Sequence, residues 1–164
     1  MYVIVMGVTG SGKSTIGSLL AERLGLPFQD ADAYHTPENR AKMARDEPLS
    51  DADRWPWLEH LAELARGWEA AGGTVLACSA LKQVHRDLLV EHVPVHRVVY
   101  LELSRAAAER RLELRRGHHE FVGEFAHLID GQYRDLEPPK DAVIVNAELD
   151  PKQIVELAAQ AIAR

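Results

Sequence analysis

From Gly7 to Ser14 the chain reads GVTGSGKS, which meets the spacing G-x-x-x-x-G-K-[ST] at every fixed position. The chemistry this pattern serves is phosphate binding. Glycines at 7, 10 and 12 let the backbone curl so that successive N–H groups along Val8, Thr9, Gly10, Ser11 and Gly12 turn inward toward phosphate oxygens. A helix opening near Lys13 adds its positive N-terminal end. Lys13 is then placed to reach the β- and γ-phosphates and the Ser14 hydroxyl to ligate Mg²⁺, with Thr15 completing a cradle for ATP.

A second cluster follows the first predicted helix: DADAYH, residues 30–35. Read as the end of a strand, it puts Asp30 and Asp32 two positions apart in extended chain, pointing the same way. Asp32 is expected to orient an acceptor hydroxyl and take its proton, while Asp30 or Ser79 holds a water on the magnesium. His35 is expected to add a hydrogen bond to a polyhydroxyl substrate, against the plainer reading of a turn residue. In EPLSDADRWPWL, Arg54 either pairs with Asp53 and does nothing more, or offers its fork to a substrate carboxylate. Lys82, after ACSA, supplies a second positive charge at the same sheet edge. Together these cations predict an acidic acceptor, with Trp55 and Trp57 serving packing.

The third cluster is ERRLELRRGHHEF, where Arg111 and Arg115 share a helical face and Arg116 lies just beyond. In a phosphoryl-transfer enzyme such a face suits a lid, spanning about 111–134, that closes over ATP and brings Arg115 and Arg116 to the transferring group. His118, His119, Glu124 and His127 show no H-E-x-x-H spacing and read as solvated charge, not a metal site. Cys78 reads as a small core residue.

The elements that must hold these residues are legible as short apolar runs: Val3 to Met6, Thr74 to Cys78, Val98 to Leu101 and Ala142 to Val145, with a weaker strand ending near Asp30. Runs without alternation suit strands covered on both faces. Between them, Ile16, Leu19, Leu20 and Leu24 share a helical face, as do Ile154, Leu157, Ala158, Ala161 and Ile162. Asp51 is a candidate cap for a helix that Gly72 and Gly73 terminate. Strands alternating with helices predict an α/β fold, a three-layer doubly wound sandwich around a parallel five-stranded sheet, with ligands at the carboxyl ends of the strands.

With 164 residues, 46% of them hydrophobic, the chain is long enough to bury a core and is expected to form one domain. A formal charge of −6 argues against nucleic acid or anionic membrane as partner. One cysteine precludes an internal disulfide, and the apolar start is too short for a membrane span, so a cytoplasmic protein is expected. The guanine-specifying Asn-Lys-x-Asp is missing where it would be needed, since Asn146 is followed by alanine. That leaves a small kinase, with an ATP-dependent switch lacking a small acceptor as the alternative.

Taken together, the phosphate loop, DADAYH, NRAKM, EPLSDADRWPWL, CSALKQVHRDLL, YLEL and RRGHHE resemble, in order and spacing, the gluconokinases of the thermoresistant type, small kinases of the nucleoside-monophosphate-kinase-like fold. The resemblance covers nearly the whole chain. It implies ATP-dependent phosphorylation of D-gluconate at its 6-hydroxyl, Asp32, His35, Arg54 and Lys82 around the sugar acid, Arg111 stacked on adenine, and a homodimer. Two positions depart from the family pattern: His119 stands for a phenylalanine and Gly131 for a serine, while Gln132, Leu136, Glu137 and Pro138 match.

Overall fold

The structure, a computed structural model, describes residues 1–45, 47–116 and 122–164, leaving out the side chains of 116 and 122–126. Five parallel strands, β1 (Tyr2–Met6), β2 (Phe28–Asp30), β3 (Thr74–Ala77), β4 (His96–Glu102) and β5 (Val143–Asn146), lie in the order β2-β3-β1-β4-β5. The expected parallel five-stranded sheet is present. β1 is central, paired with β3 from Tyr2↔Thr74 and with β4 from Tyr2↔His96. Because the chain leaves β1 toward one edge and later returns to the other, the crevice where the order reverses opens at the carboxyl end of β1. The phosphate loop begins there.

Every residue of β1 is buried, and its alternation divides the interior into two layers. Val3 and Val5 pack with Ile16, Leu20, Val99 and Ile154 on one face. Tyr2, Ile4 and Met6 pack with Trp57, Leu58, Leu61, Leu76 and Leu89 on the other. The first layer is covered by α1 (Lys13–Leu24) and α7 (Pro151–Ile162), the second by α3 (Asp51–Ala70) and α4 (Gln83–Leu89). A short α2 (Pro37–Ala44) precedes α3, and α5 (Arg105–Arg116) and α6 (Val122–Asp135) follow β4. Among the described residues no helix is long and apolar enough to cross a membrane.

Helix boundaries follow the local chemistry. The α1 helix ends at Gly25, left-handed at φ 68°. Ser50, not Asp51, caps α3: its hydroxyl accepts from the Asp53 N–H while the Asp53 carboxylate accepts from the Ser50 N–H, a capping box. Pro56 falls in the second turn of α3, inside the helix, where it supplies no N–H to the helical ladder. Two predicted helix faces are rotated. Leu19 and Leu157 are exposed, and α1 buries Ile16, Gly17, Leu20 and Ala21 while α7 buries Ile154, Val155, Ala158, Ala159 and Ile162. Small residues decide it: a Cβ on Gly17 would stand 2.7 Å from the Phe28 ring, so the helix seats its small side on the sheet.

Gly7 is confined in the same way, since a Cβ there would meet the Ser11 hydroxyl at 2.6 Å and the Leu101 carbonyl oxygen at 3.0 Å. Gly7→Ala should therefore destabilise the protein by about 1–3 kcal/mol, the usual cost of overpacking. A denaturant midpoint equal to that of the parent would contradict this.

Candidate active site

At the carboxyl end of β1 the phosphate loop closes on itself: the Ser11 N–H donates to the Val8 carbonyl at 3.1 Å, and Gly10 and Gly12 take left-handed φ of 79° and 92°. Val8 is buried in the core, which ties the loop to the sheet. The Ser11 hydroxyl is buried without a partner, and Thr15 is exposed on the first turn of α1. Lys13 Nζ folds back to donate to the Val8 carbonyl at 3.1 Å. Burial pulls its ammonium below the ordinary lysine value, opposed chiefly by the charge of Asp32 and more weakly by Asp30. The lysine thus stands over the loop in the field of both expected carboxylates.

A cleft of about 260 Å³ opens over this loop, lined by Thr9, Gly10, Gly12, Lys13 and Ser14 on the nucleotide side and by Asp30, Asp32, Ser79, Arg115 and Gln132 around it. Asp30 and Asp32 share the cleft by another route than the one expected. The strand stops at Asp30, and Ala31–Tyr34 turn as a 3₁₀ helix capped by Asp30, whose Oδ1 accepts from the Asp32 N–H at 3.0 Å. Its other oxygen, Oδ2, accepts from the Ser14 hydroxyl at 2.8 Å. Asp30 is therefore tied to the loop, and Asp32, its side chain 78% exposed, is free to meet an acceptor.

Arg54 does not pair with Asp53. The Asp53 carboxylate is engaged by Lys42 at 2.8 Å and by the Ser50 N–H, and the Lys42 hydrogen bond above all holds it down at about 2. Arg54 instead turns to Asp51, Nη1 to Oδ1 at 3.8 Å, where Lys82 Nζ also arrives at 2.7 Å and His85 Nε2 at 3.7 Å. Two cations and a buried imidazole thus converge on one exposed carboxylate. Burial pushes His85 below the usual imidazole value, so it is neutral at pH 7. Sequence reasoning missed Asp51 and His85, although Asp51 to Arg54 and Lys82 to His85 both carry the i, i+3 spacing that brings side chains together.

His35 joins the two halves. It is buried, stacked on Trp57 at 4.1 Å and 17°, and acted on by the charges of Asp32 on one side and Arg40 and Arg54 on the other. His35 ends the 3₁₀ turn but is buried, so it is not a surface turn residue; Trp57 packs as expected, while Trp55 is 40% exposed. Lys13 and Asp32 line the cleft, His35 stands beside Asp32 at 3.8 Å, and Arg54 and Lys82 meet at Asp51, outside the residues that line it.

Lys82 is held by the turn before it. Ala80 adopts a left-handed φ of 43°, and the buried Arg86 donates to the carbonyls of Ala80 (2.8 Å), Leu81 (2.9 Å) and Glu137 (2.7 Å). That pins the acceptor-side turn to the chain leaving α6. From α6, Gln132 Oε1 accepts from the Thr9 N–H at 2.6 Å. The Arg111 edge donates to the carbonyls of Gly10 (2.9 Å) and Ala147 (2.6 Å), which makes it a brace between the phosphate loop and the loop after β5. Arg115 lines the cleft beside Lys13. His118, His119 and Glu120 and the side chains of Arg116 and Glu124 lie outside what the structure describes; His127 is exposed, and among the described residues no three His, Cys, Asp or Glu cluster as a metal site. Cys78 is buried at the cleft floor, its thiol pushed up to about 12 by desolvation, which suits packing and not nucleophilic attack.

Comparison with known proteins adds three findings. The shikimate kinase family matches residues 9–159. A probable gluconokinase of Mus musculus is 44% identical over 155 residues, covering 84% of this chain and 82% of its own, and the gluconokinase of Gluconobacter oxydans is 40% identical over 160 residues, covering 94% and 87%. Among solved structures, a gluconokinase from Sinorhizobium meliloti superposes with a TM-score of 0.87 at 38% identity, covering 99% of this chain and 91% of its own.

Proposed function

As the chain belongs to the gluconokinases, within the shikimate kinase family, we propose that it transfers the γ-phosphoryl group of ATP to the 6-hydroxyl of D-gluconate, giving 6-phosphogluconate and ADP. The observation that carries this reading is the shared cleft. The phosphate loop and Asp32 line it, and Asp32 is followed by His35 at 3.8 Å, on which the charge of Arg54 acts; Arg54 and Lys82, a pair of cations fit for a carboxylate, meet at Asp51.

In this reading the loop from Gly7 to Thr15 wraps the triphosphate and Arg111 offers its face to adenine, its edge being committed to carbonyls. Arg54 and Lys82 receive the gluconate carboxylate, exchanging Asp51 for it. Asp32 orients the 6-hydroxyl and takes its proton as the oxygen attacks phosphorus. Arg115 and Arg116 meet the charge on the transferring group, and α5 with α6 excludes water.

The donors around Ser14 suit Mg²⁺, a hard cation that takes oxygen ligands and keeps several waters. Ser14 would ligate it, with Asp30 or Ser79 acting through water, and the ion would neutralise charge on the β- and γ-phosphates. A cytoplasmic homodimer completes the proposal.

A coupled assay of ADP release across gluconate, other aldonates, shikimate and nucleoside monophosphates tests the assignment. Turnover should depend on gluconate; turnover with shikimate or a nucleoside monophosphate and none with gluconate would contradict it. The cations give a sharper test. Arg54→Met and Lys82→Met should each raise the gluconate KM by about 10- to 100-fold, the worth of a charged hydrogen bond, with the ATP KM nearly unchanged. Equal increases for ATP and gluconate would remove them from the acceptor side.

A further inference from the structure

Asn39 is 2% exposed, on α2, and does not touch the cleft. Its side-chain nitrogen donates to the Asp53 carbonyl oxygen at 2.9 Å. A carbonyl can only accept, so this contact settles which end of the amide is NH₂. The same nitrogen stands 3.4 Å from His35 Nδ1 in a buried contact. An NH₂ group facing a ring nitrogen can only donate to it, so Nδ1 is the acceptor and the proton of the neutral ring sits on Nε2.

Nε2 lies on the far side of the ring, 3.8 Å from Asp32 Oδ1. Trp57 covers the face of the ring and so holds its plane, and is itself fixed by its indole N–H on the Ala31 carbonyl at 2.9 Å. We propose that Asn39 is a positioning residue that fixes His35 as the Nε2–H tautomer, so that this N–H and the Asp32 carboxylate together select a hydroxyl of the acceptor. A hydroxyl accepts from the first and donates to the second. A ketone or ether oxygen cannot donate to Asp32, and an ammonium cannot accept from His35.

Charging His35 would put a proton on Nδ1 against the Asn39 NH₂, donor facing donor. Burial acts in the same direction and depresses the imidazole, with Arg40 and Arg54 adding to it and Asp32 opposing. Both effects favour the neutral ring over the charged one.

The proposal deepens the gluconokinase reading and rests on it for the kinetics, but the tautomer can be read without any substrate. Two-bond ¹H–¹⁵N spectra of the histidine-labelled full chain at neutral pH should show His35 with a protonated Nε2 and a bare Nδ1. A protonated Nδ1, or a charged ring, would overturn the role of Asn39. Asn39→Asp replaces the donor with an acceptor and should move a proton onto Nδ1; an unchanged spectrum would also overturn it. Should that variant fail to fold, the parent spectrum decides alone.

Kinetics test the donor itself. His35→Gln places an amide NH₂ near the Nε2 position and His35→Asn near the Nδ1 position, so the asparagine variant should have a gluconate KM about tenfold or more above that of the glutamine variant. Equal effects of the two, with ATP KM unchanged, would contradict a hydrogen bond from Nε2. Absence of gluconate turnover in the parent would strike the proposed function instead, and the spectrum would still decide the role of Asn39.

Discussion

Asp32→Asn should lower kcat by about 10²- to 10⁴-fold, the range over which a positioned general base acts, while ATP affinity stays nearly that of the parent. Asparagine keeps the size and can still hold a hydroxyl, but it cannot take the proton. The separation of the two effects follows from the turn at Ala31–Tyr34. Asp30 is tied to Ser14 on the nucleotide side, and Asp32 is turned outward from it. Its charge also opposes the depression of Lys13, so the variant should leave the lysine ammonium somewhat easier to deprotonate. Nucleotide binding by equilibrium titration and kcat by coupled assay would be measured on the same preparation. Loss of both in equal measure would move Asp32 from the acceptor to the nucleotide.

Arg115→Ala should cost about 10³-fold or more in kcat, as removal of a charge-stabilising arginine does in phosphoryl transfer. Arg115 lines the cleft and its charge acts on Lys13, the lysine of the phosphate loop, which is the ground for the role proposed for it. Arg115→Lys should recover only part of the loss, because an ammonium restores charge without the two-pronged fork. The contrast is Arg111, one turn earlier on the same helix, whose hydrogen bonds go to backbone carbonyls. Replacing Arg111 should loosen the phosphate loop and raise the ATP KM, whereas replacing Arg115 should act on the rate of the chemical step in a single turnover. A fall in ATP affinity with the single-turnover rate intact would reverse the assignment of Arg115.

What could be read from the sequence was whatever local physics dictates. The phosphate loop needs glycines at fixed positions between a buried strand and a helix, and its residues announce both. Four of the five strands showed as apolar runs because a parallel sheet covered on both faces leaves no alternation. The rotated faces of α1 and α7 were hidden because apolar periodicity gives weight to leucines, whereas Gly17 and Ala21 decide how closely α1 approaches the sheet. Asp30 and Asp32 were placed in the right cleft, but the 3₁₀ turn was missed because a three-residue strand leaves little pattern to end.

The partner of Arg54 was misread for a different reason. A carboxylate at a helix start, Asp53, is claimed first by the backbone it caps, and then by Lys42 from another helix. The neighbouring Asp51, with no such duty, becomes the counter-ion of the acceptor site. Asn39 opens the NRAKM stretch but gave no hint of its contacts, since one asparagine four residues past a histidine is ordinary until α3 brings the Asp53 carbonyl to its amide.

The central claim is that ATP and gluconate meet in this one cleft, poised for in-line transfer. The structure of the protein with a non-hydrolysable ATP analogue, Mg²⁺ and gluconate measures it directly. The account predicts the 6-hydroxyl on Asp32, about 3–3.5 Å from the γ-phosphorus and in line with the bond to be broken, with the carboxylate on Arg54 and Lys82. Gluconate bound with its carboxylate toward Lys13, or its 6-hydroxyl remote from Asp32, would contradict it.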